Sequence, residues 1–215
     1  MNVKWKDCFS LSKNILIMVY VPAVSLLIFA VIMSVKMGIP FEVLSKDPLS
    51  FSGANPLTGV LSNIGIIIWS GAASVCLMTA LLLNKYGYPS NRGLSLFFAG
   101  MISLVLLLDD CFMLHEVIYP QWLGIPESII MMTYALMLLA YLYLFREKIL
   151  SADITLLLVF FVMFGLSAIV DFVLTSTLFS WHFVIEDGAK FIGIVSWFSY
   201  HTLICFTEIK LSILK

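Results

Sequence analysis

Charged side chains are scarce along this 215-residue chain, and their scarcity excludes an ordinary soluble domain. Only 12% of the residues are charged and 61% are hydrophobic, whereas a soluble domain carries roughly 25% charged residues. The formal net charge is −1, so nucleic acid is not expected as a partner. The composition therefore predicts a polytopic membrane protein whose main partners are membrane lipids.

Cysteine is also sparse, and its positions form no recognisable pattern. The chain has four cysteines without paired spacing, namely Cys8, Cys76, Cys111 and Cys205, and three of the four lie in apolar runs. They are expected to be small buried hydrophobic side chains rather than disulfides or zinc ligands. The chain also lacks an internal repeat, a low-complexity tract and a segment with the composition of a soluble domain.

Long apolar runs are what the chain has instead. A membrane-spanning helix needs about 20 mostly apolar residues. Six segments satisfy this requirement: about 14–36, 59–83, 93–116, 127–145, 153–179 and 187–209. Short segments rich in turn-forming residues separate them. The sequence thus predicts an all-α, single-domain membrane bundle of six transmembrane helices over residues 1–215.

The positions of lysine and arginine predict the orientation of this bundle. Cytoplasmic loops of membrane proteins carry an excess of these residues. If the N-terminus is cytoplasmic, nine of the twelve lie on the cytoplasmic side, and only Lys36, Lys46 and Lys190 lie on the outer side. The distribution predicts a multi-pass protein of the cell membrane with both termini in the cytoplasm.

Acidic residues show the opposite bias, and some of them lie inside the predicted spans. The third span ends in "LLLDDCFMLHE", which contains Asp109, Asp110, His115 and Glu116. If the helix continues through this stretch, Asp109 and Glu116 share one face, and Asp109 lies about 10 Å deeper than His115. A charge at the bilayer centre costs about 3 kcal/mol or more, so such residues are candidates for a functional site.

The last two predicted spans carry further polar residues. Asp171 lies about 12 Å below the outer end of the fifth span, and Ser167 lies one turn deeper on the same face. A polar stripe follows one face of the sixth span: Glu186, Lys190, Trp197, His201 and Glu208. Such a stripe must face protein or water rather than lipid.

Together these residues predict one outward-facing polar cavity. The third, fifth and sixth spans would line it, with the second and fourth spans at its sides. Three further residues are predicted to support it: Asn63 of the second span, Tyr134 of the fourth span and Asp187 at the start of the sixth.

Several of these residues also have structural interpretations. Asp171 and Lys190 can form an ion pair that holds two helices together. Glu186 and Asp187 suit the first turn of a helix, where the macrodipole favours acids. His201 suits a hydrogen-bonded core position. Four aromatic residues are expected in the aromatic belt at the membrane surface: Trp69, Tyr119, Trp122 and Trp181.

A membrane-embedded metalloenzyme is the first functional hypothesis. Carboxylates and an imidazole are suitable ligands for a divalent ion, which would be zinc, manganese, iron, calcium or magnesium. The candidate ligands are Asp109, Glu116, Asp171, Glu186, His115 and Asp110. The ion would activate water for hydrolysis of a lipid or small molecule. Asp109 and Lys190 are the candidate catalytic residues, with Lys190 stabilising developing negative charge.

Two other classes of protein remain open at this point. Buried carboxylates beside a lysine also suit a proton- or cation-coupled transporter or channel, which needs a polar path from Lys190 through His201 toward Glu208. A non-catalytic membrane subunit or sensor needs only structural ion pairs. Small surfaces for helix packing, in a homo-oligomer or against a partner subunit, would come from five glycines: Gly65, Gly71, Gly100, Gly165 and Gly193.

Overall fold

The computed structural model describes residues 13–38, 52–53, 55, 57–87, 90–150, 152–173 and 182–213. Every regular element in these ranges is a helix. The chain divides into two compact units, Met1–Thr58 and Gly59–Lys215. The first unit contains helix α1 (Lys13–Met37), which is apolar along most of its 25 residues.

The second unit contains the remaining described elements. These are α2 (Val60–Lys85), α3 (Ser90–Phe112), a π-helical segment (Leu114–Ile118), α4 (Tyr119–Leu123), α5 (Glu127–Leu150), α6 (Thr155–Val173) and α7 (His182–Ile213). The all-helical prediction is thereby confirmed for the described residues. The side chains of residues 171–173 and 182–183 are outside that description.

Four of the described helices are long and apolar enough to cross a membrane. They are Val60–Lys85, Asn91–Phe112, Glu127–Leu150 and Val184–Ile213. Two apolar helical segments are shorter, namely Leu27–Met37 and Thr155–Val170. The chain therefore has the helices of a membrane protein, while six spans and cytoplasmic termini stay predictions.

The predicted boundaries differ from the observed ones mainly at helix ends. Helix α7 runs from His182 to Ile213 and therefore extends beyond the predicted 187–209 at both ends. The predicted end of the fourth span at 145 coincides with a kink in α5, where Phe145 has φ −111° and ψ 15°. The third span is shorter than predicted, since α3 ends at Phe112 rather than continuing to 116.

Helix α2 is central to the second unit. It packs against α3 and α7, while α6 packs against α7 and α5 packs against α3. The contact between α2 and α3 is close at Gly100, where a Cβ atom would lie 2.7 Å from Leu77 Cγ. Within the chain, Gly65, Gly71 and Gly193 also lie against side chains of neighbouring helices, whereas Gly165 has open space beside it. Packing of these glycines against a second copy or a partner subunit stays a prediction.

Candidate functional site

A cavity of about 610 Å³ lies between α5 and α6 and reaches the ends of α3 and α7. Its polar end, as the term is used below, consists of Asp109, Asp110, His115, Glu116, Glu127, Tyr134, Ser167, Glu186 and Lys190. Its apolar wall consists of Leu106, Met131, Ala135, Leu138, Leu139, Phe160, Phe161, Phe164, Gly165 and Ala168. A volume of this size is typical of sites for small molecules, which measure roughly 300–1,000 Å³.

A sharp turn after α3 brings His115 back onto Asp109. Met113 adopts the left-handed conformation with φ 51° and ψ 46°, which costs a residue with a side chain about 1–2 kcal/mol. The turn allows the backbone N–H of His115 to donate a hydrogen bond to Asp109 Oδ1 at 3.0 Å. The ring atom Nδ1 of His115 binds the other carboxylate oxygen, Oδ2.

The predicted arrangement of this stretch on one continuous helix is therefore wrong. Because the helix stops at Phe112, His115 contacts Asp109 directly instead of lying about a turn and a half above it. Glu116 follows His115 into the π-helical segment and no longer shares a helix face with Asp109. The left-handed residue that causes this change is a methionine, which gives no sequence signal for such a turn.

Tyr134 supports the Asp109–His115 pair from α5. Its hydroxyl group donates a hydrogen bond to Asp109 Oδ1 at 2.7 Å, and Asp109 is only 3% exposed. With Asp109 on Nδ1, the neutral imidazole of His115 carries its proton there and leaves Nε2 as an acceptor. The Nε2 atom lies 3.5 Å from Glu116 Oε1.

The surroundings of His115 favour its charged form. Burial works against protonation, but the hydrogen bond to Asp109 and the negative charges of Asp109 and Glu116 outweigh it and raise the pKa of His115. The charge of Lys190 acts in the opposite direction. The imidazole thus combines a bound carboxylate with a pKa above its ordinary value, as in sites where histidine accepts a proton.

A second group of contacts is centred on Asp110. Its Oδ1 lies 2.7 Å from Lys190 Nζ, and its Oδ2 accepts a hydrogen bond from Trp69 Nε1 at 3.1 Å. Asp110 therefore connects α3 with α2 and α7. The sequence analysis predicted an ion pair between Lys190 and Asp171. Because the side chain of Asp171 lies outside the described residues, that ion pair stays a prediction.

Trp69 belongs to a fully buried aromatic layer, formed with Phe160 and Trp197. All three are 0% exposed, and their ring centroids lie 4.7 to 6.5 Å apart. The expectation that Trp69 lies in the aromatic belt is wrong, because its indole is buried and bound to Asp110. It shares its buried face with Ala72, Ala73 and Cys76, the pattern that could have indicated a core position.

The aromatic layer separates the cavity from His201. Along α7, His201 lies one turn beyond Trp197, whose backbone oxygen lies 3.0 Å from His201 Nδ1. Its Nε2 lies 3.2 Å from the Tyr141 hydroxyl group. At the far end of the helix, Glu208 forms an ion pair with Arg92 at 2.9 Å. His201 is therefore a hydrogen-bonded core residue, and it is not part of the cavity.

The other predicted residues divide into those at the cavity and those away from it. Glu186 and Ser167 line the cavity as predicted, and Glu127 lines it without having been predicted. Asn63 and Asp187 are exposed and do not line it. Both predictions assumed that a residue near the outer end of a helix faces the site, but their helix faces point elsewhere.

The predicted set of metal ligands is only partly described, because the side chain of Asp171 lies outside the described residues, and the set as a whole stays a prediction. Within the part of the chain that the structure describes, no group of three or more His, Cys, Asp or Glu residues is placed to hold a metal ion. Asp109, His115 and Glu116 form one cluster, whereas Asp110 is bound to Lys190 and Trp69.

Residues 9–204 match the family described as a domain of unknown function (DUF8692), and the chain belongs to that family. Comparison with curated proteins and with solved structures gave no match. The description of the family gives no activity, so a function has to be inferred from the chemistry of the cavity.

Proposed function

We propose that this protein is a membrane-embedded hydrolase in which His115 is the general base. The observation that carries the proposal is the Asp109–His115 pair, which is buried, supported by Tyr134 and located at the polar end of a cavity. A carboxylate on one ring nitrogen orients a histidine so that the other nitrogen can accept a proton from water.

The proposed reaction begins with a water molecule beside His115 Nε2. His115 takes a proton from this water while the water oxygen attacks the carbonyl carbon of an ester or amide. Asp109 stabilises the resulting imidazolium. The same proton then passes to the leaving oxygen or nitrogen as the bond to it breaks. Lys190 lines the same cavity and stabilises the negative charge that develops on the carbonyl oxygen.

Dependence on a divalent cation is the second candidate, and one observation favours it. His115 Nε2 and Glu116 Oε1 lie 3.5 Å apart, and a carboxylate on Nδ1 is the usual partner of a metal-bound histidine. Ions such as magnesium are often held by one or two protein carboxylates with water and substrate as the other ligands. In this version, His115 and Glu116 would hold the ion that activates water.

A transporter or channel has less support. A route across the membrane from the cavity would have to pass Trp69, Phe160 and Trp197, which are fully buried and in mutual contact. A cavity closed by such a layer suits binding and reaction at one side. We place that side outside the cell, because the opposite end of the second unit carries Lys85, Arg92, Arg146, Lys148 and Lys210.

Hydrolysis by the purified full-length chain tests the proposal. The probes are fluorogenic esters and amides with long alkyl chains, presented in lipid nanodiscs. We expect turnover by the wild type and loss of at least about 100-fold in His115→Gln, the scale of general-base catalysis. Asp187→Asn is the matched control, because Asp187 is an exposed acid at the end of α7 that reaches the cavity, but it does not line the cavity. Unchanged turnover in His115→Gln would refute the role of His115.

The metal question has its own measurement. Elemental analysis compares the wild type with the double variant His115→Ala/Glu116→Ala. A stoichiometric metal that is lost in the double variant, together with turnover that chelators abolish, supports the second candidate. Turnover that persists in chelator supports catalysis by the Asp109–His115 pair alone.

A further inference from the structure

We infer that the cavity binds an amphiphile with one apolar chain and a cationic ammonium head, which enters sideways from the membrane between α5 and α6. The binding inference stands on the cavity itself, and the statement that this amphiphile is the substrate rests on the proposed function. Three features of the cavity lead to this ligand.

The first feature is the charge of the polar end. It contains five carboxyl groups, from Asp109, Asp110, Glu116, Glu127 and Glu186, against one lysine and one histidine. Lys190 is already paired with Asp110 at 2.7 Å. The excess of negative charge favours a cationic head and disfavours a phosphate or sulfate head, because like charges repel strongly where water is partly excluded.

The second feature is the order of polar and apolar residues along the helices. On α5, the lining runs from Glu127 through Tyr134 to Leu138, and on α6 it runs from Ser167 back to Phe160. Both helices therefore place polar residues toward one end of the cavity and apolar residues deeper in the span. This order matches a lipid-like molecule whose head lies near the membrane surface and whose chain points inward.

The apolar wall is also suited to a hydrocarbon chain. Phe160, Phe161 and Phe164 of α6 face Leu138 and Leu139 of α5 across the cavity. Burial of apolar surface contributes about 25 cal/mol per Å². Together with Leu106 of α3, these side chains form most of the apolar wall, a groove that we assign to a single hydrocarbon chain.

The third feature is the lateral opening. Several lining residues on α5 and α6 are themselves exposed, among them Ala135, Leu139 and Gly165. Leu139 is 58% exposed. On a membrane-spanning helix, an exposed apolar side chain faces lipid. An amphiphile can therefore pass from the outer leaflet into the cavity without crossing water.

Photo-crosslinking in lipid nanodiscs of neutral composition tests the inference. The probe is a hexadecyl-trimethylammonium carrying a diazirine in its chain, and the matched probe carries a sulfate head on the same chain. The protein is the full-length wild type, because neither probe contains a carboxylic ester or amide bond that it could hydrolyse. We expect at least about tenfold more labelling by the ammonium probe, with crosslinks on Phe160–Phe164 and Leu138–Leu139.

Gly165→Leu provides the matched steric test. A Cβ atom at Gly165 meets no atom within 4 Å, so the leucine fills the groove without displacing the backbone. Gly188→Leu is the control, because Gly188 also has open space on its helix but does not line the cavity. We expect labelling to fall at least about fivefold in Gly165→Leu and to stay unchanged in Gly188→Leu.

The outcomes separate this inference from the proposed function. Equal labelling by the two probes, or crosslinks that Gly165→Leu leaves unchanged, would overturn the inference even if the wild type hydrolyses esters. Selective labelling of the groove without hydrolysis by the wild type would support the inference and refute the hydrolase.

Discussion

Asp109 and His115 are joined at two points, since the two carboxylate oxygens of Asp109 bind the backbone N–H and the ring Nδ1 of the same residue. The two contacts fix both the position and the rotation of the imidazole. Tyr134 adds a hydrogen bond to one of these oxygens from a different helix. A histidine held in this way presents its other ring nitrogen, Nε2, beside Glu116 Oε1 at 3.5 Å, and the proposed chemistry takes place there.

Asp109→Asn should abolish turnover without preventing membrane insertion. The amide keeps the shape of the carboxylate but cannot stabilise a charged imidazole, and loss of the corresponding charge in known triads lowers turnover by about 10⁴-fold. The measurement is hydrolysis of the fluorogenic amphiphile, with gel filtration to verify assembly. A fully active Asp109→Asn variant would remove Asp109 from the centre of the site.

The rate of hydrolysis should depend on the protonation of His115. Because the general base is the neutral imidazole, activity falls as the pH decreases through the pKa of His115. That pKa is raised above the ordinary 6.5, so the acid limb of the pH–rate profile should lie above pH 6.5. Glu116→Gln removes a charge that raises the pKa, and the limb should move to lower pH.

The raised pKa of His115 also determines how the free energy of unfolding changes with pH. Asp109, Glu116 and Lys190 act on His115, and together with burial they leave its pKa raised in the folded state. The resulting stabilisation is complete below pH 6.5 and is lost as the pH rises through the folded-state pKa. In the pH–rate profile of hydrolysis, an acid limb at or below pH 6.5 in the wild type would contradict the arrangement around His115.

The left-handed turn at Met113 should tolerate glycine and reject a β-branched residue. Met113 is 49% exposed, so its side chain contributes little packing, while its φ of 51° is unfavourable for valine. Met113→Gly should retain activity and change the free energy of unfolding by less than about 1 kcal/mol. Met113→Val should lower both turnover and thermal stability, and equal behaviour of the two variants would argue against the turn.

The Lys190–Asp110 pair should show strong coupling in a double-mutant cycle. Lys190→Met leaves a largely buried carboxylate without its cation, which costs on the order of 3 kcal/mol. Asp110→Asn in the same chain removes that charge and keeps an acceptor for Trp69, so the double variant should recover assembly. Its turnover should stay low, because Lys190 stabilises developing charge in the proposed reaction. Recovery of full turnover would make the pair purely structural.

Much of the candidate site follows from the sequence because charge in an apolar segment is rare and costly. That argument identifies Asp109, Asp110, Glu186 and Lys190, all of which line the cavity. It fails for Asn63 and Asp187, since depth along a helix does not determine which face meets the neighbouring helices. It also misses Glu127, which the sequence presents as an ordinary first-turn acid.

The amino-acid sequence by itself determined that the chain has the helices of a membrane protein, because an apolar run of about 20 residues with few charges is long enough to cross a bilayer as a helix. In such a helix every backbone polar group is hydrogen-bonded internally. Which polar groups meet was decided by tertiary structure. The left-handed backbone of Met113 turns His115 onto Asp109, and the packing of α3 on α2 brings Asp110 to Trp69. Both contacts depend on where helices end and on which helix faces pack together. Helical periodicity alone predicts neither of these.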